Sequence, residues 1–144
     1  RGDDCSNAIR SEACGVAASK IAVYESVRSE LLSCQRNFAV LPGLIADGRD
    51  MGTVVFPAAD LKIFLTATSE ERASRRYKQL IKKGIDASLP ALLRDIRERD
   101  ERDINRAQSP LKASDDAVLI DTSNLGIEEV MLKVRQIVKI RGLA

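Results

Sequence analysis

Three short apolar runs, Gly43-Leu44-Ile45-Ala46, Leu61 to Thr66 and Ala117 to Asp121, punctuate a chain of 144 residues whose intervening stretches carry helical periodicity. Strands that read as continuous apolar runs are buried on both faces, and strands separated by helices return in parallel. The order therefore predicts an α/β fold, a parallel sheet covered by helices on both sides. Three strands make a thin sheet, so part of the sheet is expected to belong to sequence outside these residues.

The helical stretches are readable in turn. Asn7 to Ala22 is rich in Ala and Ser and predicts a helix with a small-residue face. Glu25 to Phe38 places Val27, Leu31, Cys34 and Phe38 on one stripe at helical pitch. Thr68 and Glu71 have the spacing of a reciprocal cap, with a helix expected from there to about Gly84. Ser88 can open another, whose apolar positions Leu89, Leu92, Leu93 and Ile96 give way to the charged stretch Arg97 to Arg106. A last amphipathic helix is expected from about Ile127.

Composition narrows the chemistry. The chain has no histidine, which removes Ser-His-Asp, Cys-His and HExxH mechanisms together. What is left is Asp, Glu, Lys, Arg and backbone amides, a toolkit suited to phosphoryl transfer, where positioning and charge neutralisation dominate. Lys plus Arg (23) and Asp plus Glu (21) nearly cancel, so no extended nucleic-acid footprint is demanded. No run approaches the ~20 apolar residues of a membrane helix and no signal-peptide segment opens the chain, so the protein is expected to be soluble and intracellular. Cys5, Cys14 and Cys34 follow no metal or disulfide spacing and are expected to be reduced thiols.

Ligands of open parallel sheets bind at the carboxyl ends of strands. The turn after the first run reads Asp47-Gly48-Arg49-Asp50-Met51-Gly52. Its glycines permit tight turns, Arg49 offers a planar fork for phosphate, and Asp50 an acceptor for an amino group; a solvated turn with a structural Arg-Asp pair has the same composition. Arg99, Asp103 and Arg106 share one helical face at i, i+4 and i+7. That face can clamp a ribose and phosphate, or simply form surface ion pairs. Arg72 and Arg76, one turn apart, can meet a polyphosphate together or stand solvated.

In order along the chain, Ala18-Ser19-Lys20, Val27-Arg28, Gln35-Arg36, the long block from Leu41 to Pro57, Lys62 to Leu65, Ser69 to Ala73, and Arg99 to Asp103 with Asn105-Arg106 closely resemble the bacterial cytidylate kinase family. The resemblance runs over almost the whole chain. It implies a P-loop NTPase-like three-layer αβα fold around a parallel sheet, and transfer of the γ-phosphoryl group of ATP, with Mg²⁺, to CMP or dCMP. It implies that Ser19, Arg28, Asp50 and Arg106 lie toward the cytosine ring, that Arg49 holds the CMP phosphate, and that Asp103 and Arg99 meet the sugar. Arg49, Arg99 and Arg106 are the implied catalytic cations, and Arg72 and Arg76 the lid arginines over ATP.

The resemblance further implies residues 1–40 as the helical part of the nucleotide-acceptor region and 41–144 as the remainder of a single, incomplete kinase domain, with lid helices at about 70–107. A cytoplasmic monomer of pyrimidine nucleotide metabolism is implied, with no nucleic-acid or membrane partner and no metal ligand in these residues. The family's initial strand and its G-x-x-x-x-G-K-[ST] phosphate loop are absent, since no Gly-Lys pair followed by Ser or Thr occurs. These residues alone are accordingly expected to bind CMP weakly and transfer nothing. A non-catalytic nucleotide-binding module that kept the CMP pocket is the alternative. An RNA-binding surface on the arginine-rich helix is opposed by the interleaved Asp100, Glu101 and Asp103.

Overall fold

A computed structural model of the chain describes residues 4–5, 9, 11–105, 107 and 110–143. Two compact units are present, one made of residues 1–56 and 98–112, the other of 57–97 and 113–144.

The first unit holds helices α1 (Glu12–Ile21) and α2 (Glu25–Arg36), a single π-helical turn (Met51–Val55), and the carboxyl half of α4 (Leu89–Asn105). Ser11 opens α1, its hydroxyl accepting the Cys14 amide at 3.2 Å, which satisfies one of the amides a helix start leaves without an intrahelical partner. Asn7, Ala8 and Arg10 of the predicted Asn7 to Ala22 helix lie outside the described residues. The stripe expected on α2 forms at helical pitch but is not buried: Leu31 and Phe38 are exposed. Val55 is the buried apolar residue of this unit among those described.

The second unit holds β1 (Ile63–Thr66), α3 (Ser69–Lys82), the first half of α4, β2 (Val118–Asp121) and α5 (Ile127–Ile140). The two strands pair in parallel, Ile63 with Val118 through Thr66 with Asp121. Bonds from the Val118 amide to the Lys62 carbonyl (2.9 Å) and from the Thr122 amide to the Thr66 carbonyl (2.8 Å) extend the ladder at both ends. Ala73, Leu92 and Ile120 are buried here. Lys62 fastens the entry to β1, donating to the Pro57 carbonyl at 2.6 Å and to the Asp116 carboxylate at 2.7 Å.

The parallel pairing and its helical connections agree with expectation, but the third strand does not form. Gly43 to Ala46 is neither strand nor buried; Ile45 is 100% exposed and Leu44 exposed as well. The chain turns there, with a cis Leu41–Pro42 peptide and a Gly43 φ of 145°, a region open chiefly to glycine. An apolar run becomes a strand only where neighbours take its amides and carbonyls, and β1 and β2 pair with each other. Ile120 is the one buried residue of the two strands. Among the described residues no helix is long and apolar enough to cross a membrane.

Candidate functional site

The segment after Ala46 enters the π-helical turn through Asp50, whose carbonyl accepts the amides of Val54 (2.9 Å) and Val55 (3.2 Å), while the Phe56 amide reaches the Met51 carbonyl at 2.7 Å. Gly48 lets this turn close: a Cβ there would stand 2.9 Å from the Met51 side chain. Arg36, in the last turn of α2, donates Nε–H to the Val55 carbonyl at 3.0 Å and an Nη2–H to the Val54 carbonyl at 3.1 Å. These are carbonyls that a short helical turn leaves without partners of its own.

Arg49 and Asp50, adjacent in this segment, send their side chains to different partners. Asp50 pairs with Arg28 of α2, which also reaches the Ala22 carbonyl at 3.5 Å. Arg49 donates Nε–H to Oδ2 of Asp103. Asp103 also accepts the Ser19 hydroxyl from α1 at 3.4 Å on Oδ1, and Arg99, one turn before it on α4, stands 3.8 Å from Oδ2. Asp103 is 2% exposed and Ser19 8%. A carboxylate so buried requires compensation, and here it comes from three parts of the chain: the Ser19 hydroxyl and the Arg49 guanidinium donate to it, and the Arg99 guanidinium adds an opposite charge nearby. Gly15 of α1 admits the Arg99 guanidinium closely, since a Cβ at that position would lie 3.2 Å from its Nη1.

Six predicted residues thus fall into two groups within the first unit: Ser19, Arg49, Arg99 and Asp103 meet in one cluster, and Arg28 and Asp50 form a second pair, joined to it along the chain because Asp50 follows Arg49. A guanidinium carries more N–H donors than one carboxylate can accept, so two converging on one aspartate make a setting suited to anionic oxygens. Arg106 lies outside the described residues. Arg72 and Arg76 sit on α3 of the second unit, where Arg72 turns back to the Ala67 carbonyl (3.2 Å) and the Ser69 hydroxyl (3.1 Å), and Arg76 meets Gln79 at 2.7 Å. Among the described residues no group of three or more His, Cys, Asp or Glu side chains is placed to hold a metal ion.

Residue types and spacing missed three contributors. Gly15 and Arg36 give no local signal for contacts made far along the chain. Arg75 shows only its i, i+4 relation to Glu71, realised at 2.9 Å; its Nη1 also donates to the Thr122 hydroxyl at 3.1 Å and its Nη2 to the Thr122 carbonyl, fastening the segment that leaves β2 to α3. At the start of α3 the Thr68 hydroxyl caps the Glu71 amide at 3.2 Å as expected, but the Thr68 amide donates to the Ser123 hydroxyl at 3.1 Å. The reciprocal half of the cap expected from Glu71 is thus taken by Ser123, and Glu71 is engaged by Arg75.

A sequence model of the cytidylate kinase family matches residues 1–140. The cytidylate kinase of Shewanella denitrificans is 59% identical over 138 residues, 96% of this chain and 61% of that protein. Those of Aeromonas salmonicida (59% over 133 residues) and Burkholderia ambifaria (58% over 135) align over 92% and 94% of this chain and 58% and 59% of their own. The chain thus spans less than two-thirds of the length of these curated relatives.

Proposed function

The chain belongs to the cytidylate kinase family, and from that premise we propose that the protein carrying these residues transfers the γ-phosphoryl group of ATP to CMP or dCMP. The gathering of Ser19, Arg49 and Arg99 on the buried Asp103, beside the Arg28–Asp50 pair, is the observation that supports this reading most directly. In it a phosphate oxygen of CMP attacks the γ-phosphorus in line, the bond from that phosphorus to the bridging oxygen breaks, and ADP leaves as CDP forms.

No side-chain nucleophile is required. Arg49 holds the CMP phosphate, and Arg99 spreads charge developing on the transferred group, a role in which one preorganised donor is worth about 3 kcal/mol. Asp103 meets the sugar hydroxyls while keeping both guanidinium groups oriented. Ser19, Arg28 and Asp50 address the cytosine edge, whose amino donor and carbonyl acceptor match a carboxylate and a guanidinium. Arg106 belongs to the same proposal near the base, and Arg72 and Arg76 to the ATP side. Mg²⁺ accompanies ATP in this reading; among the described residues no cluster of three or more His, Cys, Asp or Glu side chains is placed to hold it.

The proposal extends to a three-layer αβα architecture, to residues 1–40 as part of the acceptor region with lid helices at about 70–107, and to a cytoplasmic, monomeric enzyme. Its test is CDP formation from ATP, Mg²⁺ and CMP by the whole protein, with UMP and AMP as competing acceptors. Preferential phosphorylation of CMP and dCMP is expected. CMP binding without turnover would favour a non-catalytic module, and equal use of UMP would overturn the assignment of the base-facing residues.

A further inference from the structure

We infer that Arg36 is a positioning residue, one that locks the π-helical turn Met51–Val55 and through it sets the directions in which Arg49 and Asp50 project. The inference rests on the proposed acceptor role of those two residues. Its physical basis is separate from that role.

A basic residue in the last turn of a helix ordinarily complements the carbonyl end of its own helix. Arg36 is aimed elsewhere: Nε–H reaches the Val55 carbonyl at 3.0 Å and Nη2–H the Val54 carbonyl at 3.1 Å. A planar fork that engages two successive carbonyls fixes their orientation, which a single ammonium cannot do. The same two residues donate their amides to the Asp50 carbonyl, at 2.9 and 3.2 Å. Val54 and Val55 are therefore held from both sides, by Asp50 through their N–H groups and by Arg36 through their C=O groups. Val55 is 3% exposed, so its carbonyl has little water to fall back on if the fork is withdrawn.

Asp50 is both the anchor of this turn and the partner of Arg28, on the same helix as Arg36. One helix thus grips the segment twice, at the side chain of Asp50 and at the far carbonyls of the turn. Freeing the second grip lets the turn pivot about Asp50, and Arg49, one residue before, pivots with it. Displacements of about an ångström at a substrate-orienting group can cost up to a hundredfold, and a partial release through one surface-accessible fork is expected to cost about tenfold.

The test compares Arg36→Ala and Arg36→Lys with the wild type in the whole protein. Amide hydrogen exchange at Val54 and Val55 is expected to speed up about tenfold in Arg36→Ala, as a locally opened turn should, and less in Arg36→Lys, which keeps charge but loses the fork. The KM for CMP is expected to rise about tenfold while the KM for ATP and the melting temperature stay near wild type. Unchanged exchange at Val54 and Val55 in both variants overturns the inference, as does a parallel rise in both KM values, which marks a general loss of structure. Should Arg36→Ala fail to fold, Arg36→Lys carries the same readouts. A wild type that exchanges as expected and never phosphorylates CMP overturns the proposed function and leaves the grip on the turn to be decided by exchange alone.

Discussion

Arg49 donates its Nε–H to Oδ2 of Asp103 across a separation of 54 residues. The resemblance gives these two side chains separate tasks, one toward phosphate and one toward sugar, yet each is the other's counter-ion. Asp103 is buried and the Arg49 side chain 36% exposed, so the pair has an inner, fixed anion and an outer cation with access to solvent. Loss of either member would change both proposed tasks.

Asp103→Ala removes the acceptor shared by Ser19 and Arg49 and the counter-charge beside Arg99. Because Arg49 can be rehydrated, the expected loss of stability is about 1–3 kcal/mol, and Asp103→Asn, whose amide oxygen still accepts, should recover part of it. Urea unfolding followed by circular dichroism measures both, and an unshifted midpoint for Asp103→Ala would contradict the burial argument.

Asp50→Ala leaves Arg28 without its carboxylate and the proposed cytosine edge without its acceptor. Discrimination for CMP over UMP, expressed as the ratio of kcat/KM values in the whole protein, is expected to fall about tenfold to a hundredfold. An unaltered ratio would remove Asp50 from the base-facing set.

Arg75→Ala releases the segment after β2 from α3. Four acceptors lose a donor, the Thr122 hydroxyl and carbonyl, the Leu125 carbonyl and the Glu71 carboxylate, and a destabilisation of about 1–2 kcal/mol is expected given the partial exposure of the side chain. Arg75→Lys should not restore it, since one ammonium cannot serve acceptors on two elements with the same geometry. Thermal melting of the two variants beside the wild type checks the prediction; a lysine variant as stable as wild type would show that charge alone suffices.

Acid sensitivity has named sources. The Lys62 ammonium, and after it Ser114, hold the Asp116 carboxyl below its ordinary value of 3.8. Asp121 is lowered by hydrogen bonds from the Ser123 amide and hydroxyl, and Glu70 by a backbone hydrogen bond and then by Arg97. A carboxylate whose pKa is depressed by folding contributes its full stabilisation above its unfolded pKa and loses it as the pH falls through the folded one. The Asp116 contribution is thus full at neutral pH and is lost progressively as the pH falls from about 3.8 through the lowered folded-state value. Asp116→Asn should be less stable than wild type at pH 7 and converge with it under acid; a gap that widens on acidification would reverse the sign.

Much of this was legible where the cause was local. The runs ending at Thr66 and Asp121 are strands, the Thr68 hydroxyl caps its helix, and the last helix begins at Ile127, because propensity and capping act within a few residues. Gly43 to Ala46 was misread because apolar character reports a preference for burial and says nothing of whether strand partners are at hand. Glu71 has the spacing of a reciprocal cap, and only folding brings Ser123 to take that place. Arg36 and Arg75 were opaque for the same reason: a guanidinium on a helix reads as solvated until the carbonyls it will meet, 18 and 47 positions away, are known.

The interleaving of the two units bears on synthesis. The first unit is closed by residues 98–112 and the second by 113–144, so neither is a continuous stretch of chain. Domains usually acquire structure as they leave the ribosome, amino-terminal part first. Here Ser19, Arg28, Arg49 and Asp50 emerge well before Asp103, and the Arg49 guanidinium waits for its carboxylate while most of the second unit is being made. Until then the nascent chain presents an arginine-bearing turn without its acid, a form for which chaperone contact matters more than it does in the finished protein.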